Sequence, residues 1–274
     1  MKISIITVCY NAEKTIEQTI YSVISQKYNN IEYIIIDGNS KDGTIDIIKK
    51  YDSKIYKWIS EDDTGIYNAM NKGIDIATGE YIQFLNADDA LIDNLIIDKV
   101  VCSIKKANYP DILSAPVYSV DEKKILQGLF YNTMDVNEIK KGRIIPHQGI
   151  FVKSNLMKEY KFNENNKIVS DFEFILKSAL NNKRFYFVKY PVVFFSNEGL
   201  SANNEKLREK EHYNVIKKYL GEKFANKYKN KYFFMDQLRY NLKKYGILIY
   251  IRLFFKGWKK HKCNNKYCRW CKKR

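Results

Sequence analysis

Proline is scarce in this chain, four residues in 274, and glycine numbers only twelve. That excludes a collagen-like or linker-rich polypeptide. No stretch approaches the roughly 20 apolar residues of a membrane-spanning helix. The opening run, MKISIITVCYNAEK, is too short for a signal-peptide core and has no small-residue cleavage site, so it reads as a first strand. Neither GxxxxGK[ST] nor GxGxxG occurs, so no glycine-rich cradle is available for phosphates. Cysteines number five, and an odd count without a secretory signal points to a reducing, cytoplasmic compartment. Cys9 and Cys102 lie in apolar contexts and read as buried thiols. Cys263, Cys268 and Cys271, with His261 nearby, offer four soft ligands for zinc, but not at the spacing of a standard finger.

Apolar residues make up 45% of the chain, enough for a globular core. The formal charge of +16 is unevenly spread. Residues 1–204 carry 25 Lys and Arg against 26 Asp and Glu, and residues 205–274 carry 22 against 5. A nearly neutral globular domain, 1–204, is therefore expected to precede a basic helical extension, 205–274, that faces a polyanion. Within it, YNLKKYGILIYIRLFFKGWKKHK (240–262) has an apolar centre flanked by lysines, which suits an anionic membrane surface. Nucleic acid is not expected as a partner, because no recognised nucleic-acid fold accompanies the charge.

Strand-like and helix-like stretches alternate through the first hundred residues. ISIITV, IEYIIID, IYKWIS and YIQFL read as strands, and the amphipathic segments at 12–26, 44–51 and after Thr64 read as helices. Asn11 and Thr64 are the expected caps of the first and third helices. This β-α order predicts an α/β fold, a mostly parallel sheet flanked by helices on both faces. Further on, short strands are expected near 112–118, 150–152 and 185–195, helices near 154–160 and 172–180, and helix from about 202 to 262.

Acids collect where these strands end. Asp37 closes the second strand, Glu61, Asp62 and Asp63 follow the third, and Asp88 and Asp89 follow the fourth. In parallel sheets, ligands bind beyond the carboxyl ends of the strands. A turn or helix cap would account for any one of these acids. Their mutual repulsion in a group points to a cation or to ligand hydroxyl and N–H groups. A calcium loop of the EF-hand type is excluded, since the twelfth position from Asp37 is Ile48.

The blocks SIITVCYNAEKTIEQTIYSVISQ, EYIIIDGNSKDGT and SEDDTGIYNAMNKGIDIATGEYIQFLNADD, in that order, resemble the family 2 glycosyltransferases of GT-A fold, in particular the bacterial O-antigen and capsule transferases. The likeness covers about residues 1–200. It implies an inverting enzyme that moves a sugar from a nucleotide-sugar donor, of the uridine diphosphate type, to a lipid-linked glycan at the inner face of the cell membrane. It implies that Val8, Tyr10 and Asn11 border the base, with Tyr10 stacking on it. Asp37 and Asp63 would hold the nucleoside, Asn68 and Lys72 would reach the donor, and Asp88 would meet the ribose. Asp89 would ligate Mg or Mn. His147 and Gln148, in IPHQGIF, would contact donor or acceptor, His147 through the diphosphate, the acceptor or the metal. Asp171, in IVSDFEF, would be the general base, with Glu173 its neighbour. The family's usual proline after the first acid of the third block is absent and Asp62 fills its place, which leaves Asp62 and Asp63 as alternatives. Lys72 also reads as an ordinary surface lysine, and Asp171 as a helix cap.

Two other classes compete. A nucleotidyltransferase also places paired acids on such a sheet, but the loop after the first strand, CYNAEKT, lacks the glycine-rich basic character that class needs. A non-catalytic, membrane-associated GT-A-like module would have lost the acids, and Asp37, Asp88, Asp89 and Asp171 are all present.

Overall fold

The computed structural model describes residues 1–121, 126–130, 134–196 and 204–229. The chain divides into two compact units, Met1–Asn203 and Asn204–Arg274. The first begins with β1 (Ile3–Cys9), α1 (Ile16–Ile24), β2 (Ile31–Asp37), α2 (Thr44–Lys50), β3 (Lys57–Ser60), α3 (Ile66–Ile76) and β4 (Tyr81–Phe84). It continues with β5 (Ala90–Leu91), α4 (Ile96–Lys106), β6 (Ile112–Ser114), β7 (Val117–Val120) and β8 (Leu126–Phe130). It closes with α5 (Val136–Lys140), β9 (Ile150–Lys153), α6 (Ser154–Tyr160), α7 (Ser170–Leu180), β10 (Phe185–Phe187) and β11 (Val193–Ser196). In the second unit, α8 (Glu205–Leu220) is followed by helical residues 222–229.

Seven strands form the main sheet in the order β10-β6-β9-β4-β1-β2-β3. The pairs β4-β1, β1-β2 and β2-β3 are parallel, and β9 runs antiparallel to both its neighbours. The expected mostly parallel α/β sheet is what forms. A smaller sheet, β5-β11-β7-β8, lies beyond it. Successive residues of β1 point to opposite faces, so Ile3 and Ile5 enter one core with Ile20, Val100 and Phe151. Ile6 and Val8 enter the other core with Met70, Ile74 and Phe174. Both faces being covered, the strands read as nearly continuous apolar runs.

Five local expectations change. Asn11 caps no helix: its φ is 49°, its N–H donates to Ser40 Oγ and its Oδ1 accepts from the Lys41 N–H. The loop after β1 is thus tied to the loop after β2, and α1 starts only at Ile16, after Thr15. Gly65, with φ of 135°, takes the cap position expected at Thr64, a conformation that L side chains rarely adopt. The strand expected over 112–118 breaks at Ala115–Pro116 into β6 and β7, which join different sheets, because proline has no N–H for the ladder. The strand expected over 185–195 breaks at 188–192 for a comparable reason, with Pro191 in the gap. Cys9 is buried as expected, but Cys102 is exposed, because it falls on the outer side of α4. Helix expected beyond residue 229, the apolar centre of 240–262 and the cysteine cluster with His261 lie outside the described residues.

At the amino end of β2, Glu32 is buried and receives Lys2 Nζ (2.7 Å), Ser4 Oγ (2.6 Å), the Thr78 N–H (2.7 Å) and the Thr78 hydroxyl. Burial alone would raise its pKa, but these partners outweigh it and hold it at about 2. A depressed carboxylate stabilises the fold above the unfolded value of roughly 4.3 and loses that contribution as pH falls towards 2. Glu32→Ala is expected to cost on the order of 3 kcal/mol, since it strands four donors, one of them charged. Denaturant melts at pH 7 and pH 3 check this: the gap between wild type and variant should be narrower at pH 3.

Candidate active site

The parallel half of the sheet ends in four loops, after β1, β2, β3 and β4, and these carry the acids. Asp37 is completely buried. Its Oδ2 accepts from the Ser40 N–H (2.9 Å) and Ser60 Oγ (2.7 Å), and its Oδ1 from Ser40 Oγ (2.5 Å) and Cys9 Sγ (3.5 Å). One carboxylate therefore joins the ends of β1, β2 and β3. Burial pushes the Cys9 thiol far up, and the nearby Asp37 charge adds to it, so Cys9 stays protonated.

Tyr10 stands at the exit of β1 with 64% of its surface exposed. Val8, one turn of the pleat earlier, is buried in the core, which leaves only its backbone for a ligand. Next to Tyr10, a Cβ on Gly38 would meet Asp63 Oδ2 at 2.5 Å and the Tyr10 ring at 3.5 Å. A side chain at position 38 would press on the Asp63 carboxylate and shift it. Asp63 is held there because its Oδ1 accepts from the Gly65 N–H at 2.8 Å. Asp62 is exposed and takes Asn39 Nδ2 instead (2.9 Å). Of the two alternatives, Asp63 is the acid brought to Tyr10.

Lys72 is turned to the loop before α3: its Nζ lies 2.8 Å from both Glu61 Oε1 and the Asp62 carbonyl. Asn68 donates to Glu164 Oε2 (3.0 Å) and Asn71 to Glu164 Oε1 (2.8 Å), so both tie α3 to the segment before α7.

After β4, Asp88 is half-buried and Asp89 almost wholly buried. The Asp89 N–H donates to the Asn86 carbonyl (3.0 Å), its own carbonyl accepts from Thr19 Oγ1 of α1 (2.7 Å), and its Oδ1 accepts from the Ser196 N–H at the end of β11 (3.0 Å). Beside it, Asn86 Oδ1 is buried with no hydrogen-bond partner among the described residues. Those residues contain no group of three His, Cys, Asp or Glu that could hold a metal. A magnesium-type ion that takes one carboxylate plus substrate phosphates needs no such group, and Asp89 with the unsatisfied Asn86 oxygen suits that arrangement.

The turn 147–149 precedes β9 and packs against β4 and β11. Gln148 is buried, and its carbonyl accepts from Gln83 Nε2 (2.9 Å). His147 Nδ1 lies 2.7 Å from Asp171 Oδ2. Tyr67, from α3, shares its single hydroxyl proton between Asp171 Oδ1 (2.9 Å) and the Ile168 carbonyl (2.7 Å). Burial would raise the Asp171 pKa, but the hydrogen bond and charge of His147, then Tyr67 and the Phe172 N–H, hold it below the usual carboxylate range. Asp171 sits in the first turn of α7 rather than capping it, because the helix begins at Ser170. Glu173 is consumed by Asn163 Nδ2 (2.8 Å) and Asn166 Nδ2 (2.7 Å). The sequence singles out neither Tyr67 nor Ser60, and it reads Gly38 only as a turn glycine of positive φ, a conformation that Gly38 does not adopt.

Residues 4–157 match the family described as Glycosyl transferase family 2. The chain belongs to glycosyl transferase family 2. Among relatives in the family, TuaG of Bacillus subtilis, named for teichuronic acid biosynthesis, is 41% identical over 90 residues, which are 32% of this chain and 36% of that protein. A PGL/p-HBAD biosynthesis glycosyltransferase of Mycobacterium bovis is 28% identical over 182 residues, 65% of this chain and 70% of that one. Among solved structures, S. aureus TarS 1-349 in complex with UDP-GlcNAc superposes with a TM-score of 0.66 at 21% identity, over 81% of this chain and 66% of that one. The mannosyltransferase PcManGT of Pyrobaculum calidifontis, in complex with GDP-Man and Mn2+, gives 0.60 at 19%, over 81% and 69%. The fold is that of the GT-A glycosyltransferases, and this family 2 chain is a glycosyltransferase.

Proposed function

We propose that the chain transfers a sugar, with inversion, from a uridine diphosphate sugar to a hydroxyl of a lipid-linked glycan in surface polysaccharide synthesis. The observation that carries the donor assignment is the exposed Tyr10 ring with the Asp63 carboxylate packed beside it over Gly38. A base stacks on an aromatic face, and a carboxylate accepts from a ring N–H, which uracil presents at one edge. Asp37 serves this site by fixing the loops that carry Tyr10, Asn11 and Ser40, since its own oxygens are engaged. Asn68 and Lys72 likewise hold the walls of the donor site. Asp88 is the residue for the ribose. Asp89, with Asn86, would hold Mg or Mn, which stabilises negative charge on the departing diphosphate. His147, Gln148 and Asp171 face the acceptor side, where a hydroxyl must lose its proton.

Calorimetry with UDP, GDP, CDP and ADP in the presence of Mn tests the donor. UDP is expected to bind best, and Tyr10→Ala to weaken it about tenfold or more, the loss of one base–aromatic stack. Equal affinity for all four, untouched by Tyr10→Ala, would sink the assignment.

The support for a membrane-bound acceptor is the charge of residues 205–274, beside the relatives named for teichuronic acid and PGL/p-HBAD biosynthesis. Among the described residues no helix is long and apolar enough to cross a membrane. Surface attachment at the inner face is therefore the proposed location. The full chain should co-sediment with phosphatidylglycerol vesicles and release at high salt. Indifference to the anionic lipid would remove this part of the reading.

A further inference from the structure

β10 stands at one end of the strand order of the main sheet, so no strand of that sheet runs along its outer edge. Phe185 and Phe187, two positions apart, point to the same face, and their rings stack with centroids 5.9 Å apart and planes 15° apart. Beside them, bounded by α5 and the end of α7, is an open cavity of about 450 Å3. Met134 and Val136 extend its apolar wall. Its rim carries three cations, Lys140, Lys183 and Arg184, against one acid, Asp135, whose Oδ1 accepts from the Asn137 N–H at 2.8 Å. Asn182, with φ of 54°, reverses the chain after α7 and so returns Lys183 and Arg184 to the rim. Lys140 Nζ donates to Asn182 Oδ1 (2.8 Å), and Arg184 Nη2 donates to the Ala107 and Asn108 carbonyls. These acceptors are neutral, so they orient the cations without cancelling them. Lys183 Nζ reaches Glu159 Oε2 only at 4.0 Å. Lys140 and Lys183 are half-buried, so the charges lie over apolar surface rather than out in solvent.

We propose that this cavity binds an anionic amphiphile, with its apolar body against Phe185 and Phe187 and its phosphate or carboxylate head on Lys140 and Lys183. The volume is that of a small-molecule pocket, which is typically apolar with a few placed polar groups, and is too small for a macromolecule. An inorganic anion would use the rim and leave the stacked rings in water. A nucleotide base would bring a polar edge to a wall of phenylalanine, methionine and valine that offers it no hydrogen bond. An alkyl chain carries no such cost. The site is separate from the donor site: Tyr10, Asp37 and Asp63 belong to loops after β1, β2 and β3, at the other end of the strand order. It is also separate from Asp171, since Ala179, at the cavity, lies eight residues further along α7, about 12 Å. The proposal does not rest on the glycosyl-transfer reading above.

The chain has five methionines, so Met134→Leu assigns the Met134 methyl in 1H–13C spectra of the full protein. Decyl phosphate should move that methyl saturably, while the methyl of Met157, buried in the core, stays in place. Decanol and inorganic phosphate each carry half of the chemistry, and each should bind at least about tenfold more weakly. Decanoate separates two sources of the ligand. Affinity equal to that of decyl phosphate assigns lipid anions in general, fatty acids included, and affinity about tenfold lower assigns a lipid phosphate. Lys140→Gln with Lys183→Gln should weaken decyl phosphate about tenfold or more at an unchanged melting temperature, the loss of charge-assisted hydrogen bonds. Lys49→Gln with Lys54→Gln removes the same charge from exposed positions beside β3, at the opposite edge of the sheet, and should leave affinity unchanged. No loss in the first pair, or an equal loss in both pairs, overturns the proposal, the second outcome marking uptake by net charge alone. A response confined to Met235, within the basic segment 205–274, overturns it as well. UDP with Mn should not displace decyl phosphate from Met134, and displacement would make the cavity part of the donor site and overturn its separate assignment.

Discussion

Asp89→Asn is expected to lower turnover about a thousandfold or more while leaving the fold intact. The amide is nearly the shape of the carboxylate, and its carbonyl can still accept from the Ser196 N–H. The turn keeps its other anchors, the Asn86 carbonyl and Thr19 Oγ1. What disappears is a full negative charge in a buried place. A cation that bridges a diphosphate is stabilised there by that charge, and charge stabilisation of a leaving group is worth several kcal/mol. A thousandfold loss corresponds to about 4 kcal/mol. Calorimetry of UDP with and without Mn, beside a thermal melt, makes the check. The wild type should need Mn for tight binding, and the variant should bind weakly and equally in both conditions. A variant that keeps its Mn dependence would move the metal to Asp88 or elsewhere.

Asp37→Ala should fail differently. If this acid met the base directly, its removal would weaken UDP and leave the melting temperature alone. The buried carboxylate instead receives the Ser40 N–H, two serine hydroxyls and the Cys9 thiol. Alanine leaves those donors without an acceptor in a place water does not reach. The expected cost is on the order of 3 kcal/mol, and donor affinity should fall with it because the Tyr10 and Ser40 loops lose their common anchor. Thermal melts and UDP titrations on the same samples give the answer. A loss of affinity at unchanged stability would restore Asp37 as a ligand contact. Asp63→Ala offers the comparison, since Asp63, like the exposed Tyr10, lies beside Gly38 at the rim: affinity should drop there with little change in melting temperature.

Much of this was open to reading in the chain itself. The alternation of β-branched runs with amphipathic stretches required a covered parallel sheet, because a strand apolar at every position can only sit between two layers. The parallel order then brought Asp37, Asp63, Asp88 and Asp89 to one edge, since strand ends that run the same way share a side. Three ordered blocks carried the family. Those are consequences of local pattern and chain direction, and the sequence by itself determined them. Asp171 was picked out only through the family resemblance, with Glu173, two positions away and of the same charge, as the residue that could be mistaken for it. The tertiary structure decided what each acid faces. Asp37 turned inward because three strand ends meet there. Asp63 was held beside Gly38, on the Tyr10 side of the site, by the Gly65 N–H. Glu173 was taken by Asn163 and Asn166, and Asp171 was given His147, 24 residues away in sequence. Partners of that kind are set by how helices and turns pack across a sheet, and no periodicity along the chain records which side chain will lie at the end of a hydrogen bond.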